Sequence, residues 1–301
     1  MALTLSRLRL LDVFARVGTV RATADELGLG PSTVSQQLAL LESESGVALF
    51  ERLGRRMTLT ATGAHLAERA RGLLDHAEAV DSELADLASG PTGRVRLGGF
   101  ASSVRPLLLA ARAELSARTT ALEVELLEIE PRDSTEALLR GRLDLAVTVD
   151  EGDGALLAPT VTVVPLASDP LLAVLPAGHE LASADRVTLA DLAGAEWALD
   201  HEGTYLGELV PRACRLAGFE PRVTGRFASF RLLLAHVAAT GAVGVLPALA
   251  VEAEPGVVAR PLAGLADRRI VVVVRTGAAR RRAITAVVAA LREVADRSRR
   301  S

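Results

Sequence analysis

The sequence is poor in several kinds of side chain. It contains no lysine and no asparagine, and its only glutamines are the neighbours Gln36 and Gln37. Because arginine supplies all 34 positive side chains, no single arginine stands out as a binding residue. The one cysteine, Cys214, excludes an internal disulfide and any metal site made of several cysteines, and it is typical of a reducing compartment. The low aromatic content, 3%, argues against a ligand held between stacked rings.

Long apolar runs are also missing. Arg7, Arg9 and Asp12 interrupt the first apolar segment, so we expect no signal peptide. No run approaches the ~20 apolar residues of a membrane helix, and we therefore expect a cytoplasmic protein without a membrane partner. Half of the residues are hydrophobic and 24% are charged, with a net charge of −3, which is the balance of a globular protein. Its length suggests about two domains.

The first 46 residues have the pattern of three short helices. Apolar residues recur at helical spacing, and glycine or threonine stands where one helix ends and the next begins. Pro31 opens the third helix at a position where proline costs no hydrogen bond. Val34, Leu38 and Leu41 share one face of that helix and are predicted to face the core.

The other face of the third helix is polar. Gln36 and Gln37 lie on it or beside it together with three hydroxyl residues, Ser32, Thr33 and Ser35. A glutamine side chain both donates and accepts, so it can pair with a base edge in the major groove. Within a helix-turn-helix pattern this face favours sequence-specific DNA binding over an ordinary solvated surface.

Two extended runs and a long helix follow. Residues 48–52 and 56–60 predict a small hairpin, or wing, with Arg52, Arg55 and Arg56 at or beside its tip. Thr60 can cap a helix that runs to about Ala88 and carries a single apolar stripe. An exposed helix of this kind, with no neighbour in sequence, predicts pairing with a second copy of the chain.

Strand and helix patterns alternate after a linker at residues 89–93. Such alternation predicts parallel α/β sheets with right-handed crossovers. A helix over residues 106–117 is expected to follow a turn made by Ala101, Ser102 and Ser103, and a further helix is expected to begin at Ser134.

These motifs occur together, and in the same order, in one family. Beyond the dense pattern over residues 8–63, the chain carries family-like segments at residues 141–146, 178–181, 189–192, 217–221 and 241–247. The sequence thereby resembles the LysR-type bacterial transcriptional regulators essentially from end to end. It departs from them at Gly30-Pro31-Ser32, where Ser-Gln-Pro is common, and at Gln36, where an arginine is frequent after the serine. The departures concern base preference rather than fold.

The resemblance implies a fold class and a division into domains. Residues 1–60 would form an all-α winged helix-turn-helix DNA-binding domain, and residues 61–90 a linker helix for dimerisation with a hinge. Residues 91–301 would form an α/β effector-binding domain of two lobes, similar to the periplasmic binding proteins. Chain order assigns about 92–165 and 269–301 to lobe one and about 166–268 to lobe two.

The resemblance also implies which residues meet DNA, with the third helix in the major groove and the wing beside it. The base-edge residues are Ser32, Thr33 and Gln36, those nearer the phosphates are Ser35 and Gln37, and those of the wing are Arg52, Arg55 and Arg56. The wing arginines suit phosphates or the minor groove. For Arg52, an ion pair with an acidic residue of the third helix is an equal alternative.

By the same resemblance a small effector would bind between the lobes. The expected residues are Ser102, Ser103 and Ser134 from lobe one and His201, Thr204 and Phe227 from lobe two. Free N–H groups at the start of the lobe-one helices can hold a carboxylate or phosphate, so an anion is one candidate effector. Ordinary loop or capping chemistry is the alternative for each of these residues.

We expect a regulator, not an enzyme, and no cofactor. The five histidines include no pair at metal-ligand spacing, and the sequence has no nucleophile elbow and no phosphate loop. A solute-binding protein without a DNA role would explain residues 92–301 but not the first 63. The expected partners are double-stranded promoter DNA, the effector, further copies of the chain in a dimer or tetramer, and RNA polymerase if the protein is an activator.

Overall fold

The computed structural model describes residues 3–53, 56–89, 91–152, 156 and 160–298. Its N-terminal part is a winged helix-turn-helix, as predicted. The elements follow in the order α1 (Leu5–Val17), α2 (Val20–Leu27), α3 (Pro31–Ser45), β1 (Phe50–Leu53), β2 (Arg56–Leu59) and α4 (Ala61–Ser89). We refer to α1–α3 with β1 and β2 as the head. Of the residues assigned to the wing, Arg55 lies outside the described residues.

Local signals in the sequence set the ends of the head helices. Thr4 and Thr19 cap α1 and α2, because each side-chain oxygen accepts a hydrogen bond from an N–H of the first turn. Helix α3 has no side-chain cap and begins instead with Pro31 in its first turn. All three helices end at a glycine with positive φ, namely Gly18, Gly28 and Gly46.

The head has a hydrophobic core of its own. Val34, Leu38 and Leu41 of α3 are buried, as their spacing predicted. They pack in one cluster with Phe14 of α1, whose ring meets that of Phe50 edge-on, with 5.6 Å between the ring centroids. This cluster holds the buried face of α3 inward and leaves the opposite face of the helix outside.

Glu42 joins α3 to the wing. Its Oε1 accepts hydrogen bonds from the backbone N–H groups of Leu49 and Phe50, both at 2.8 Å. On the other side of the wing, the Thr60 hydroxyl accepts from the Gly63 N–H at 3.0 Å and so caps α4. The wing is therefore fixed relative to both α3 and α4.

The remaining elements form the domain that was expected to bind an effector, and we refer to it as the effector domain. Its strands are β3 (Gly93–Gly99), β4 (Leu122–Glu128), β5 (Leu145–Asp150), β6 (Val161–Asp169), β7 (Leu171–Pro176), β8 (Val187–Thr188), β9 (Glu196–Asp200), β10 (Arg222–Phe227), β11 (Gly244–Pro247), β12 (Val257–Ala263) and β13 (Arg268–Arg275). Its helices are α5 (Ala101–Ser103), α6 (Ala110–Arg118), α7 (Pro131–Leu139), α8 (Tyr205–Leu216), α9 (Phe230–Thr240) and α10 (Arg282–Ser298).

The effector domain has two lobes, and their sheets are mixed rather than parallel. Lobe one is built on a five-stranded sheet of order β4-β3-β5-β13-β6, and lobe two on a four-stranded sheet of order β11-β7-β12-β8 with a parallel pair β10-β9. Strand β13 is antiparallel to both β5 and β6, and β7 is antiparallel to β11 and β12. The expectation of parallel strands is confirmed where β3 pairs with β4 and β5. It was wrong for β13, because the chain leaves lobe one along β6 and returns in the opposite direction along β13.

Two helices of lobe one begin earlier than predicted. The helical segment after β3 starts at Ala101 and contains a π-helical turn, Val104–Leu109, around Pro106. Since proline has no N–H to donate, a wider turn accommodates it. Helix α7 begins at Pro131 rather than at Ser134. The serines expected just before or at the start of these helices therefore lie inside them.

Helix α4 is in contact with other parts of the same chain. It packs on α1 and, through the face that carries the buried residues Arg71 and Asp75, on the effector domain. These contacts within the chain were not expected for a helix that the sequence predicts to be exposed. Leu73 and Val80 each stay 55% exposed, so a second apolar face is left uncovered within the chain. None of the described helices is both long and apolar enough to cross a membrane.

Gly63 and Gly72 of α4 offer a matched test of the packing between the wing and α4. A Cβ at Gly63 would lie 2.1 Å from the backbone oxygen of Leu49, whereas nothing lies within 4 Å of a Cβ at Gly72. We expect Gly63→Ala to lower the free energy of unfolding by ~2 kcal/mol through overpacking. Gly72→Ala should raise it by ~1 kcal/mol, because alanine is the better helix former. Urea denaturation followed by circular dichroism measures both, and equal effects would contradict the contact at Gly63.

Candidate DNA-binding and effector-binding sites

The N-terminal half of α3 presents a continuous polar surface. Ser32, Thr33, Ser35 and Gln36 are all exposed, because the opposite side of the helix is buried in the head core. Residues three or four positions apart are neighbours on a helix, so Gln36 lies beside both Ser32 and Thr33. The structure thus brings the three residues predicted to read bases onto one patch.

Gln37 does not share that patch. Its Oε1 accepts a hydrogen bond from Nε of Arg7 on α1 at 3.1 Å, and Arg7 also pairs with Glu44 at 2.5 Å. These contacts tie the middle of α3 to α1. Gln36, by contrast, has no partner within the described part of the chain, which leaves its carboxamide available to an external group.

The wing carries two described arginines. Arg52 on β1 and Arg56 on β2 are exposed. Among the described residues Arg52 has no ion-pair partner, since Glu42 accepts from the wing backbone and Glu44 pairs with Arg7. Its guanidinium is therefore available to an anion outside the chain.

The three serines expected to bind an effector are buried and already bonded. The Ser102 hydroxyl accepts from Nη2 of Arg268 at 2.9 Å. The hydroxyls of Ser103 and Ser134 donate to backbone oxygens one turn back, at 2.7 and 3.1 Å. All three hydroxyls therefore face protein groups, and those of Ser103 and Ser134 stabilise the start of the helices in lobe one.

Arg268 lies between the lobes and contacts one of these serines, Ser102. Its buried guanidinium pairs with Asp169, with 3.1 Å between Nε and Oδ2. It also lies over the rings of Phe100 in lobe one and Tyr205 in lobe two, at 5.0 and 5.9 Å from their centroids. Arg268 was not predicted from the sequence, where the one signal was the presence of an acidic residue, Asp169, and an arginine, Arg268, near the two places at which the chain crosses between the lobes.

A cavity of about 410 Å³ opens beside this junction. It is lined by Arg132, Glu151, Thr204, Tyr205, Glu208, Leu209 and Arg212. Arg132 pairs with Glu208 across the cavity at 3.2 Å. Arg212 has no partner among the residues that the structure describes. Of the predicted effector residues only Thr204 lines this cavity, and its hydroxyl caps α8 by accepting from the Gly207 N–H.

The other two predicted effector residues in lobe two lie away from that lining. His201 is exposed and donates its backbone N–H to Asp200 at 2.8 Å. Phe227 ends β10 and packs on the ring of His236, with 5.1 Å between the centroids. Burial raises the pKa of Asp200, and burial likewise raises the pKa of Glu130, whose Oε2 accepts from the Tyr205 N–H at 3.1 Å.

Cys214 is buried in α8, in the core of lobe two. Burial raises the pKa of its thiol to about 11. Since the thiolate is the reactive form, this cysteine is inert near neutral pH. Among the described residues no group of three or more His, Cys, Asp and Glu side chains is placed to hold a metal ion.

Both parts of the chain match models of known protein families. Residues 5–64 match the model of the bacterial regulatory helix-turn-helix proteins of the lysR family, and residues 88–296 match the LysR substrate binding domain. A probable hydrogen peroxide-inducible genes activator of Streptomyces viridosporus is 31% identical over 297 residues, which cover 96% of this chain and 94% of the relative. A protein of the same description from Mycobacterium avium is 31% identical, with coverage of 92% and 89%.

Solved structures agree with this fold from end to end. A full-length cysteine variant of OxyR from Pseudomonas aeruginosa has a TM-score of 0.80 at 23% identity, covering 97% of this chain and 95% of that one. CbnR in complex with its target DNA has a TM-score of 0.56 at 24% identity, covering 97% and 100%. A DNA-binding head, a long linker helix and a two-lobed effector domain thus occur here in the order seen in complete regulators. The chain belongs to the LysR family of bacterial DNA-binding transcriptional regulators.

Proposed function

We propose that the polar patch of α3 reads the operator of this regulator in the major groove. Ser32, Thr33 and Gln36 contact base edges, and Ser35 contacts a phosphate nearby. The observation that carries the proposal is the exposure of these side chains on the recognition helix of a family-matched head. Because Gln37 is engaged by Arg7, we assign it to holding α3 rather than to the phosphates expected from the sequence.

The wing contributes phosphate contacts in this proposal. Arg52 and Arg56 are exposed and carry the charge that attracts a DNA backbone. Arg55 keeps the same assignment from the sequence alone. No reaction is assigned to the protein, whose family consists of regulators rather than enzymes.

We propose further that α4 pairs two chains. Its uncovered apolar residues Leu73 and Val80 favour such pairing, which would present two heads to a dyad-symmetric site. Effector domains would join dimers into a tetramer on promoter DNA in the cytoplasm, with RNA polymerase as a partner if the protein activates. In this division residues 1–60 bind DNA, 61–90 pair the chains and 91–301 bind the effector.

The proposed effector is a small anion bound in the cavity at the start of α8. Arg212 offers a guanidinium without a partner among the described residues, and Tyr205 and Leu209 offer apolar surface beside it. The relatives named above are described as probable activators of hydrogen peroxide-inducible genes, but this chain has only one cysteine and holds it as a buried thiol. We therefore propose an effector other than peroxide.

Selection of bound sequences from a random DNA library, followed by footprinting, tests the DNA assignment. We expect an inverted repeat, and we expect Ser32→Ala combined with Gln36→Ala to lower affinity for it at least about tenfold, because each base pairing lost is worth ~1–3 kcal/mol. Ser43→Ala, an exposed change near the other end of α3, serves as the matched control and should have no effect. Failure of the wild-type protein to enrich any sequence would contradict the proposal.

Thermal unfolding with small mono- and dicarboxylates, each compared with its neutral amide, tests the effector assignment. A bound carboxylate should raise Tm of the wild-type protein, because ligands stabilise the state that they bind. Arg212→Ala should abolish that shift. Arg215→Ala should keep it, since Arg215 lies on the same helix as Arg212 but pairs with Glu220, beyond the end of that helix, and does not line the cavity. Equal shifts with the amides, or an unchanged shift in Arg212→Ala, would argue against an anionic effector at this place.

Because the Cys214 thiol is buried and has a raised pKa, we expect DNA binding by this protein to be insensitive to hydrogen peroxide. With a pKa of about 11, the thiol should react with iodoacetamide at neutral pH more than about 100-fold slower than in the urea-unfolded chain, and faster as pH rises toward that value. Mass spectrometry follows the labelling. The footprint on the selected operator should be the same with and without hydrogen peroxide, and the same in Cys214→Ser. Rapid labelling or a peroxide-dependent footprint would refute the assignment.

A further inference from the structure

We propose that Arg275 of the effector domain is a positioning residue for the DNA-binding head, acting through a buried ion pair with Asp75 of α4. Strand β13 connects this contact to the junction between the two lobes. The inference rests on the regulator function proposed above and specifies how that function is controlled. Neither residue belongs to the DNA-reading surface or to the cavity beside α8.

All three nitrogens of the Arg275 guanidinium donate hydrogen bonds. Nε and Nη2 donate to the two carboxylate oxygens of Asp75 at 2.7 and 3.0 Å. Nη1 donates to the backbone oxygens of Leu138 and Leu143, both at 2.9 Å. The side chain is only 10% exposed. The planar guanidinium can bind a carboxylate through Nε and Nη2 and still donate to two carbonyl oxygens through Nη1. The ammonium group of lysine cannot do both.

One helical turn before Asp75, Arg71 extends the contact to the head. It pairs with Asp12 of α1 and also donates to the backbone oxygen of Leu139 in the effector domain. Helix α4 and the effector domain approach each other closely here. A Cβ added at Gly141 would lie only 2.8 Å from Nε of Arg71. Helix α4 is thus held by buried charges between the head and the effector domain.

Strand β13 has a buried arginine at each end. Arg268 at its start contacts Ser102 of lobe one and the Tyr205 ring of lobe two, whereas Arg275 at its end holds α4. The eight residues between and including them span about 24 Å at the rise of an antiparallel strand. Hydrogen bonding to β5 and β6 on either side makes the strand part of one rigid sheet. A rearrangement of the lobes around Arg268 therefore acts on the sheet that carries the α4 contact.

The head does not need this pair for its own fold. Its core cluster runs from Leu10 to Ala67 and contains no residue of the effector domain. Weakening the pair should consequently leave the α3 surface intact while freeing the orientation of the head. This separation distinguishes a positioning role from a general loss of stability.

A distance measurement within one chain tests the proposal without DNA. Spin labels are placed on α2 and β4 with Arg21→Cys and Glu123→Cys, both exposed, in a Cys214→Ser background. The labelled chain is diluted with unlabelled protein so that only distances within a chain contribute to the pulsed electron paramagnetic resonance signal. We expect one narrow distance in the otherwise unchanged protein and a broad distribution after Asp75→Asn or Arg275→Lys.

The matched control is Arg269→Ala. Arg269 neighbours Arg268 on β13 but is exposed, and it pairs with Asp150 at 3.0 Å on the surface. This variant should keep the narrow distance. An unchanged distribution in Asp75→Asn, in protein shown by circular dichroism to be folded, would overturn the proposal, as would equal broadening in the control.

DNA binding by the same variants supplies the second readout. Two linked heads bind two half-sites more tightly when their relative orientation matches the DNA. If Asp75→Asn frees that orientation, affinity for the full inverted repeat should fall about tenfold or more. Affinity for a single half-site should stay within about twofold, because the reading surface is untouched. Equal losses on half-site and full site would indicate damage to the head and overturn the proposal. If the wild-type protein bound no specific sequence, the proposed function would fail while the distance measurement still decided the role of Arg275.

Discussion

The burial of guanidinium groups among carboxylate and carbonyl oxygens is the interaction on which the arrangement of this protein depends. Arg268 is satisfied by Asp169 and Ser102, and Arg275 by Asp75 together with two backbone oxygens of the effector domain. Removing one partner of a buried pair costs about 3–5 kcal/mol, because the remaining charge stays out of water. The segments that supply the partners lie far apart in sequence, so these pairs act as long-range restraints on the lobes and on α4.

The parts of the fold that could be predicted from the sequence are those with local causes. Pro31 starts α3 and Gly46 ends it through their own backbone preferences, and Leu38 faces the core because of helical spacing. Strand direction has no such local cause. The apolar run in β13 is equally typical of a parallel or an antiparallel strand, and its direction is set by where the chain returns from lobe two.

The candidate sites divide in the same way. The exposed patch around Gln36 was predictable, since the period of the helix decides which side faces out. The engagement of Gln37 by Arg7 was not, because the two residues are 30 positions apart and no pattern in α3 indicates the contact. The partner of Ser102 in lobe one was unpredictable for a similar reason. Arg268, one of 34 arginines, donates a hydrogen bond to Ser102 from 166 positions away in the sequence.

The contact between Gln37 and Arg7 leaves the head one carboxamide, that of Gln36, to turn toward a base. A carboxamide donates and accepts in a fixed geometry, whereas a hydroxyl rotates and does either. If the proposed contacts hold, the carboxamide selects one base pair strongly in each half-site. The neighbouring hydroxyls accept several different base pairs beside it. Operators of such a protein would look degenerate when aligned, and the distance between their two halves would carry much of the information that single bases do not.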